Sequence, residues 1–184
     1  SAAGHRAALI AGFDRVRAAL EAFDPDVEGV FGDDQYENFT EDLIPAYSVL
    51  AYPDRTVHPY RTRIGRAVPS YWESEPEDHA VTIKGRPDVA RHIAGALLDR
   101  GFDIAYAYRP LHDEQLAHAF LNTVLFLDHR RTGFRWPMVP MPINCYGSKV
   151  IAAQGGWKPF AETLELDPPS PAPWRLMDLG GATA

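Results

Sequence analysis

Apolar and polar residues follow one another along the chain with helix-like and strand-like spacing in turn. Residues 3–23 carry apolar side chains every three or four positions, from Leu9 to Phe23, with charged residues between them. This spacing predicts an amphipathic helix. Pro25 ends the helix, and residues 27–31 then predict a strand that runs into a polar segment.

The rest of the chain continues this alternation. Strands are predicted at 48–52, 80–83, 102–108 and 137–144. Helices are predicted at 87–100, which Gly101 ends, at 112–128, and from Pro171 toward Leu179 with Ser170 as its N-cap. The long connection between Arg55 and Glu77 is interpreted as a lid or a partner surface. Because proline has no backbone N–H, the prolines of 137–144 favour a strand end or a bulge over the centre of a sheet.

Strands that alternate with helices are typical of α/β folds. We therefore expect a three-layer sandwich, with a mostly parallel central sheet and helices on both faces. A chain of 184 residues can bury roughly 70% of its unfolded surface, which suits one domain over residues 1–184. The chain begins inside a helix and ends soon after another has begun, and we expect further elements of the fold before Ser1 and after Ala184.

Composition and charge exclude several classes of function. The chain has 18 basic and 25 acidic residues, a net charge of -7, and no basic stretch longer than residues 61–63, so nucleic acid is not expected as the main partner. No apolar run approaches the ~20 residues that span a bilayer, and the first residues lack a signal-peptide core, which predicts a cytoplasmic protein without membrane contact. The single cysteine, Cys145, excludes an intramolecular disulfide.

Three polar segments follow predicted strands, where α/β sheets bind their ligands. The first, residues 32–39, is rich in acidic and amide side chains; the alternative is a turn in which Asp33 or Asp34 caps a helix. The second contains His112 and His118. An imidazole at the position of His118 can transfer a proton near neutral pH, and the alternative is a core histidine with a satisfied hydrogen bond.

The third segment, residues 140–147, contains the cysteine. A nucleophilic thiol needs a nearby base or helix N-terminus, and a buried, inert Cys145 is favoured over that role. His112 and His118 are six positions apart, so they share no helix face and form no metal-binding pair at a spacing of four. The sequence contains no phosphate-binding glycine loop, no serine-hydrolase elbow and no paired-cysteine zinc pattern.

Taken in order, these segments resemble the class III extradiol ring-cleavage dioxygenases, the family that includes the catalytic β subunit of protocatechuate 4,5-dioxygenase. The matching runs are Val30 to Phe39, Leu116 to Thr123 and Val139 to Gly147. The resemblance covers most of the chain, including the proline-rich residues 167–171. It implies a non-haem Fe(II) held by two histidines and a glutamate, with open positions for a catechol-type substrate and O₂.

The resemblance also assigns individual roles. It implies that His118 takes a proton from the substrate and orients oxygen. Where the family has an iron-binding histidine in the first segment, this chain has Gln35, whose amide oxygen is a weaker ligand for Fe(II). The family's other ligands correspond to positions before Ser1 and after Ala184.

The leading hypothesis is an extradiol dioxygenase that cleaves a catechol-type or aminophenol-type aromatic ring with O₂. His118 is the predicted catalytic residue, and Gln35 marks the metal-facing position. The predicted substrate-binding residues are Asp34, Tyr36, Asn38, His112, Asn144 and Tyr146. A homo-oligomer or a small partner subunit is also expected.

Two alternatives remain open. One is a catalytically inactive binding or partner subunit with the same fold and an incomplete iron site, suggested by Gln35. The other is a hydrolase or nucleosidase-like enzyme that uses Asp33 or Asp34 as its base and needs no metal.

Overall fold

Four helices and six strands make up the described part of the chain in the computed structural model, which covers residues 1–34, 37–40, 42–60, 76, 78–112, 115–144 and 171–184. The elements in chain order are α1 (Ala2–Phe23), β1 (Glu28–Asp33), β2 (Ser48–Leu50), β3 (Arg55–Val57), β4 (Val81–Ile83), α2 (Pro87–Asp99), β5 (Ala105–Ala107), α3 (His118–Leu127), β6 (Met138–Ile143) and α4 (Pro173–Thr183). Within these residues, every helix is too short or too polar to cross a lipid bilayer.

The strands pair in three two-stranded sheets. β1 pairs with β6 and β2 with β5 in parallel, whereas β3 and β4 are antiparallel. Isolated bridges, Tyr47 to Ile143 and Gly85 to Met138, link β6 to the residues just before β2 and just after β4. The α/β prediction is thus confirmed as a mixed α/β architecture, while the described strands form small sheets in place of the expected single parallel sheet.

Two hydrophobic clusters hold the helices against the strands. One joins α3 to Leu50 and Met138, and the other joins α2 and α4 to Val49 and Val139. Neighbouring residues of a strand point to opposite faces. β2 and β6 therefore contribute to both clusters, with α3 packed on one face and α2 on the other.

The prolines of β6 lie within its paired length, and the expectation of a strand end or a bulge was wrong. Met138 donates its N–H to Lys84 O at 2.8 Å, and Asn144 donates to Ala46 O at 3.1 Å, both on the side away from β1. Successive backbone N–H groups alternate between the two sides of a strand. Pro140 and Pro142 are two and four positions after Met138, so their backbone nitrogens also point away from β1. The missing N–H groups therefore remove no hydrogen bond to β1.

The first helix has the predicted position but a different orientation. Phe13 stacks on Phe126 of α3 with ring centroids 5.1 Å apart. The charged residues Asp14 and Arg17, expected to face solvent, bind the end of α3 instead: Asp14 accepts from a histidine and an arginine, and Arg17 donates to backbone carbonyls. Three other apolar residues of this helix, Leu9, Val16 and Phe23, are exposed, whereas Leu20 packs against the cluster that contains α3. α1 packs chiefly against α3, so only one edge of the helix is covered.

Three element boundaries differ from the predictions. The helix expected from 112 begins only at His118, because side chains from another segment bind the backbone just before it. The connection between 55 and 77 contains β3, a short strand with no strong sequence signal. The last helix begins at Pro173 with Ala172 as its N-cap, and not at Pro171; Ser170, the predicted cap, lies outside the described residues.

Gly32, near the end of β1, lies against the first turn of α3. A Cβ atom at this position would lie 2.9 Å from Ala119 Cβ and 3.0 Å from the nearest atom of the Phe120 ring. Phe120 is fully buried, so its ring has little room to move. The absence of a side chain at Gly32 allows β1 and α3 to approach this closely.

We predict that Gly32→Ala lowers the free energy of unfolding by about 1–3 kcal/mol, as overpacking does in other cores. Gly95, in the middle of α2, is the matched control, because a Cβ there meets nothing within 4 Å. Gly95→Ala should raise the stability by up to about 1 kcal/mol through helix propensity. Urea denaturation of both variants measures the difference, and equal effects of the two substitutions would contradict the packing argument.

Candidate functional site

The polar segment after β1 meets the segment that leads into α3, and we call this contact the β1–α3 junction (residues 34, 37–40, 42, 112 and 115–118). The close approach at Gly32 brings the two segments together. The junction contains four of the residues that the sequence singled out, Asp34, Asn38, His112 and His118.

Asp34 shapes the first segment from within. Its side chain is fully buried, and its carboxylate accepts hydrogen bonds from the backbone N–H groups of Phe39 at 2.9 Å, Asn38 at 3.0 Å and Glu37 at 3.1 Å. Burial raises the pKa of this carboxyl to about 6, although the three N–H donors act in the opposite direction. Its oxygens are buried and bonded to the backbone, so Asp34 has a structural role here, and its predicted contact with a substrate stays a prediction.

Asn38 connects the two segments through its side-chain amide. Its Oδ1 accepts from the backbone N–H of Ala117 at 2.7 Å, and its Nδ2 donates to the carbonyl of Gln115 at 2.7 Å. The residue is 5% exposed. Asn38 therefore serves as a structural link, and direct contact with a substrate stays a prediction.

Glu37 binds His118 twice. One carboxylate oxygen, Oε2, accepts the backbone N–H of His118 at 2.9 Å, and the other, Oε1, is hydrogen-bonded to Nδ1 of the imidazole. The His118 side chain is 42% exposed, whereas that of Glu37 is 17% exposed. The histidine that the sequence selected for proton transfer is thus held on one side and accessible from solvent.

These contacts supply the cap that α3 lacks. The N-cap residue is Ala117, which has no side-chain acceptor, and the first N–H groups of a helix have no partner within the helix. Glu37 and Asn38 accept two of these N–H groups from outside the helix. A carboxylate also interacts favourably with the positive end of the helix dipole.

His112 makes a further link at the solvent side of the junction. Its Nε2 lies 2.9 Å from both carboxylate oxygens of Asp42, and both side chains are partly exposed. A hydrogen bond from Thr40, followed by that from His112, holds the pKa of the Asp42 carboxyl below its usual value. The structure shows His112 hydrogen-bonded to Asp42, and its predicted contact with substrate stays untested.

Asn144 lies at the same edge of the β1–β6 sheet as Asp34, because Ile143 pairs with Asp33. Its Nδ2 donates to the carbonyl of Pro45 and its backbone N–H to Ala46 O. The side chain is buried, and Oδ1 has no hydrogen-bond partner among the described residues. Asn144 therefore ties the end of β6 to the segment before β2.

The remaining predicted site residues, Gln35, Tyr36 and Tyr146, lie outside the described residues, as does Cys145. Over the described ranges, no group of three or more His, Cys, Asp or Glu side chains is placed to hold a metal ion. The acidic and imidazole groups of the junction bind one another or the backbone. The part of the chain that the structure describes does not supply the ligand set that the resemblance implies.

Sequence reasoning missed two residues of the junction. Glu37 was part of the first polar segment but received no role, and Gln115 accepts the N–H of His58 at its Oε1 with a distance of 2.6 Å. The role of Glu37 becomes visible only once α3 is known to begin after Ala117, which has no side-chain cap and so favours a carboxylate from elsewhere. Nothing local indicates Gln115.

Comparison with known proteins gives the following relatives. A protein of Azotobacter vinelandii, named 2,3-dihydroxyphenylpropionate/2,3-dihydroxicinnamic acid 1,2-dioxygenase, is 35% identical over 130 residues, which is 71% of this chain and 34% of that protein. A protein of the same name from Xanthobacter autotrophicus is 29% identical over 130 residues, 71% of this chain and 34% of the relative. One from Dechloromonas aromatica is 29% identical over 142 residues, 75% of this chain and 38% of the relative.

This chain spans about a third of the length of the curated relatives that it matches. No family model matches it. The relatives are named as dioxygenases of dihydroxylated aromatic compounds, in agreement with the ring-cleavage family that the sequence resembles. None of these three relatives is named protocatechuate 4,5-dioxygenase, so they support the family and not a specific likeness to the β subunit of that enzyme.

The buried carboxyl of Asp34 predicts a specific pH dependence of stability. Its pKa is about 6 in the folded chain against an ordinary value of 3.8, so the folded state binds more protons than the unfolded state between these values. Stability should therefore fall as pH rises through this range, by about 2 kcal/mol between pH 4 and pH 6, out of a full change of about 3 kcal/mol at 1.4 kcal/mol per pKa unit.

Asp34→Asn should remove this contribution, and the difference in unfolding free energy between wild type and variant should change by that amount across the interval. Urea denaturation at pH 4, 5, 6 and 7 measures it. A wild-type chain that gained stability relative to the variant with rising pH would contradict the raised pKa. Asp14→Asn is the control for removing any carboxylate. Hydrogen bonds from Arg130 and His129 lower the pKa of Asp14 to about 2, so this variant should not reproduce the change expected for Asp34→Asn.

Proposed function

We propose that this chain belongs to the extradiol ring-cleavage dioxygenases and forms part of an enzyme that opens an aromatic ring with O₂. The support comes from two observations. Relatives named as dioxygenases are similar over about 70% of the chain, and two of the three polar segments that suggested the family, the one after β1 and the one that leads into α3, meet at His118.

The proposed substrate is an aromatic with two adjacent hydroxyl groups, or a hydroxyl and an amino group. The names of the relatives favour the dihydroxylated class, since each names a dihydroxyphenylpropionate. Such a substrate must lose a hydroxyl proton before the ring can react with oxygen. This requirement gives a basic side chain at the site a defined task.

His118 is the proposed base. With Nδ1 bonded to Glu37, the neutral ring carries its lone pair on Nε2, and the partly exposed side chain can receive a proton from a bound molecule. Its place at the first position of α3 fixes its main chain. The observation that carries the proposal is this placement of a solvent-accessible imidazole, held by a carboxylate, at the junction of the two polar segments.

Fe(II) is the proposed cofactor, on the strength of the resemblance, with Gln35 at the metal-facing position. The described residues provide no ligand set for it, and we derive no step through the metal. We also propose that the small sheets belong to one three-layer sandwich, because bridges already link β6 to the residues next to β2 and β4.

The test is an assay of the whole protein that contains this chain, loaded with Fe(II) without oxygen and then exposed to air with a panel of catechols and aminophenols. We expect oxygen uptake and a yellow ring-opened product. His118→Ala should lower kcat by about 10²–10⁴, the usual contribution of a general base. His92→Ala, at an exposed position on α2, is the matched control and should keep wild-type activity.

Two outcomes would contradict the proposal. A protein that forms no product, contains no iron and takes up none would favour the inactive partner subunit. Full activity of His118→Ala would show that another group accepts the proton.

A further inference from the structure

We propose that Glu37 is the positioning residue of His118: it keeps the proton of the neutral imidazole on Nδ1 and so makes Nε2 the basic nitrogen. This inference rests on the proposed function for its catalytic meaning. Its structural content, the position of one proton, is independent of whether the protein cleaves rings.

The argument begins with the two oxygens of one carboxylate. The backbone N–H of His118 occupies Oε2, which satisfies the start of α3. Capping needs only this one acceptor. The second oxygen binds the ring at Nδ1, so the same side chain fixes both the main chain and the imidazole of a single residue.

The chemistry of the pair then selects the tautomer. An ionised carboxylate accepts hydrogen bonds and has no proton to donate. Its partner Nδ1 must therefore be the donor, and a neutral imidazole with a proton on Nδ1 has its lone pair on Nε2. The basic nitrogen is the one farther from the main chain.

Two other described histidines meet a carboxylate, and both do so through the opposite nitrogen, whereas His58 is hydrogen-bonded at Nδ1 to a backbone carbonyl, that of Asp78. His112 meets Asp42 through Nε2, and His129 meets Asp14 through Nε2. Both carboxylates thus bind the outer nitrogen of their ring. Glu37 binds the inner nitrogen of His118, the geometry that leaves the outer one as the proton acceptor.

Asp34 makes the second contrast. It lies three residues before Glu37, and among the described residues its carboxylate accepts only backbone N–H groups. The two acidic side chains therefore have different roles. Asp34 fixes the backbone of residues 37–39, and this conformation places the carboxylate of Glu37 next to His118.

Glu37→Gln is the informative substitution, because it keeps the size of the side chain and one acceptor oxygen. If that oxygen retains the backbone N–H of His118, the amide NH₂ faces Nδ1. Nδ1 must then accept, and the proton of the neutral ring moves to Nε2. The variant should keep the helix cap and reverse the tautomer.

The measurement is ¹⁵N NMR of the histidine ring nitrogens in the whole chain at about pH 8.5, two units above the ordinary imidazole pKa of ~6.5. In the wild type we expect the signal of an unprotonated nitrogen at Nε2 of His118, and in Glu37→Gln at Nδ1. Asp14→Asn is the matched control: it alters a carboxylate next to His129 at the other end of α3 and should leave the His118 signals unchanged.

An unprotonated Nδ1 in the wild type would overturn the proposal, and so would an unchanged tautomer in a folded Glu37→Gln variant. The wild-type spectrum decides the first point even if the variant does not fold. In an active enzyme, Glu37→Gln should lower kcat by about 10²-fold or more with a change in KM of only a few-fold. A variant with the reversed tautomer and an unchanged kcat would show that the position of this proton does not affect catalysis. Failure of the proposed function shows in a different way, as a wild-type protein without ring cleavage.

Discussion

The structure depends on how the buried start of α3 is satisfied. Ala117 is fully buried and offers no side-chain acceptor, yet its N–H and that of His118 have no partner within the helix. An unpaired buried N–H costs roughly 1–3 kcal/mol. Asn38 and Glu37 remove this cost for two groups at once, so α3 can begin here only if the segment after β1 lies in the observed conformation.

That dependence explains the features around the junction. Gly32 permits the close contact, Asp34 bends the segment so that Glu37 and Asn38 point to the helix, and Asp42 adds a hydrogen bond to His112 at the solvent side. Burying the Asp34 carboxylate is unfavourable, as its raised pKa indicates. The three N–H groups that it binds would otherwise be unsatisfied in a tight loop, which accounts for a carboxylate at this position.

Much of the fold followed from local signals, and the exceptions involve contacts between distant segments. Proline at the first position of α2 and Gly101, with φ +84°, marked both ends of that helix correctly. The start of α3 was placed six residues too early, because no local pattern reveals that Asn38 and Glu37 bind the backbone of Gln115, Ala117 and His118. The orientation of α1 was wrong for a similar reason, since Asp14 and Arg17 find partners at the end of α3 and just after it that no local pattern reveals.

The candidate site also combines features that local sequence predicts with a feature that depends on contacts between distant segments. Its location after β1 and before α3 was predictable, because polar residues follow strands there, and His118 was recognised by its chemistry. The role of Glu37 was not, since it depends on a partner 81 positions away in the chain. A proton acceptor must be held in one orientation and still be reached by its substrate. The junction meets both requirements for the proposed base, because the carboxylate that holds the imidazole is the less exposed side chain of the pair, and the contacts that complete the helix also fix this histidine.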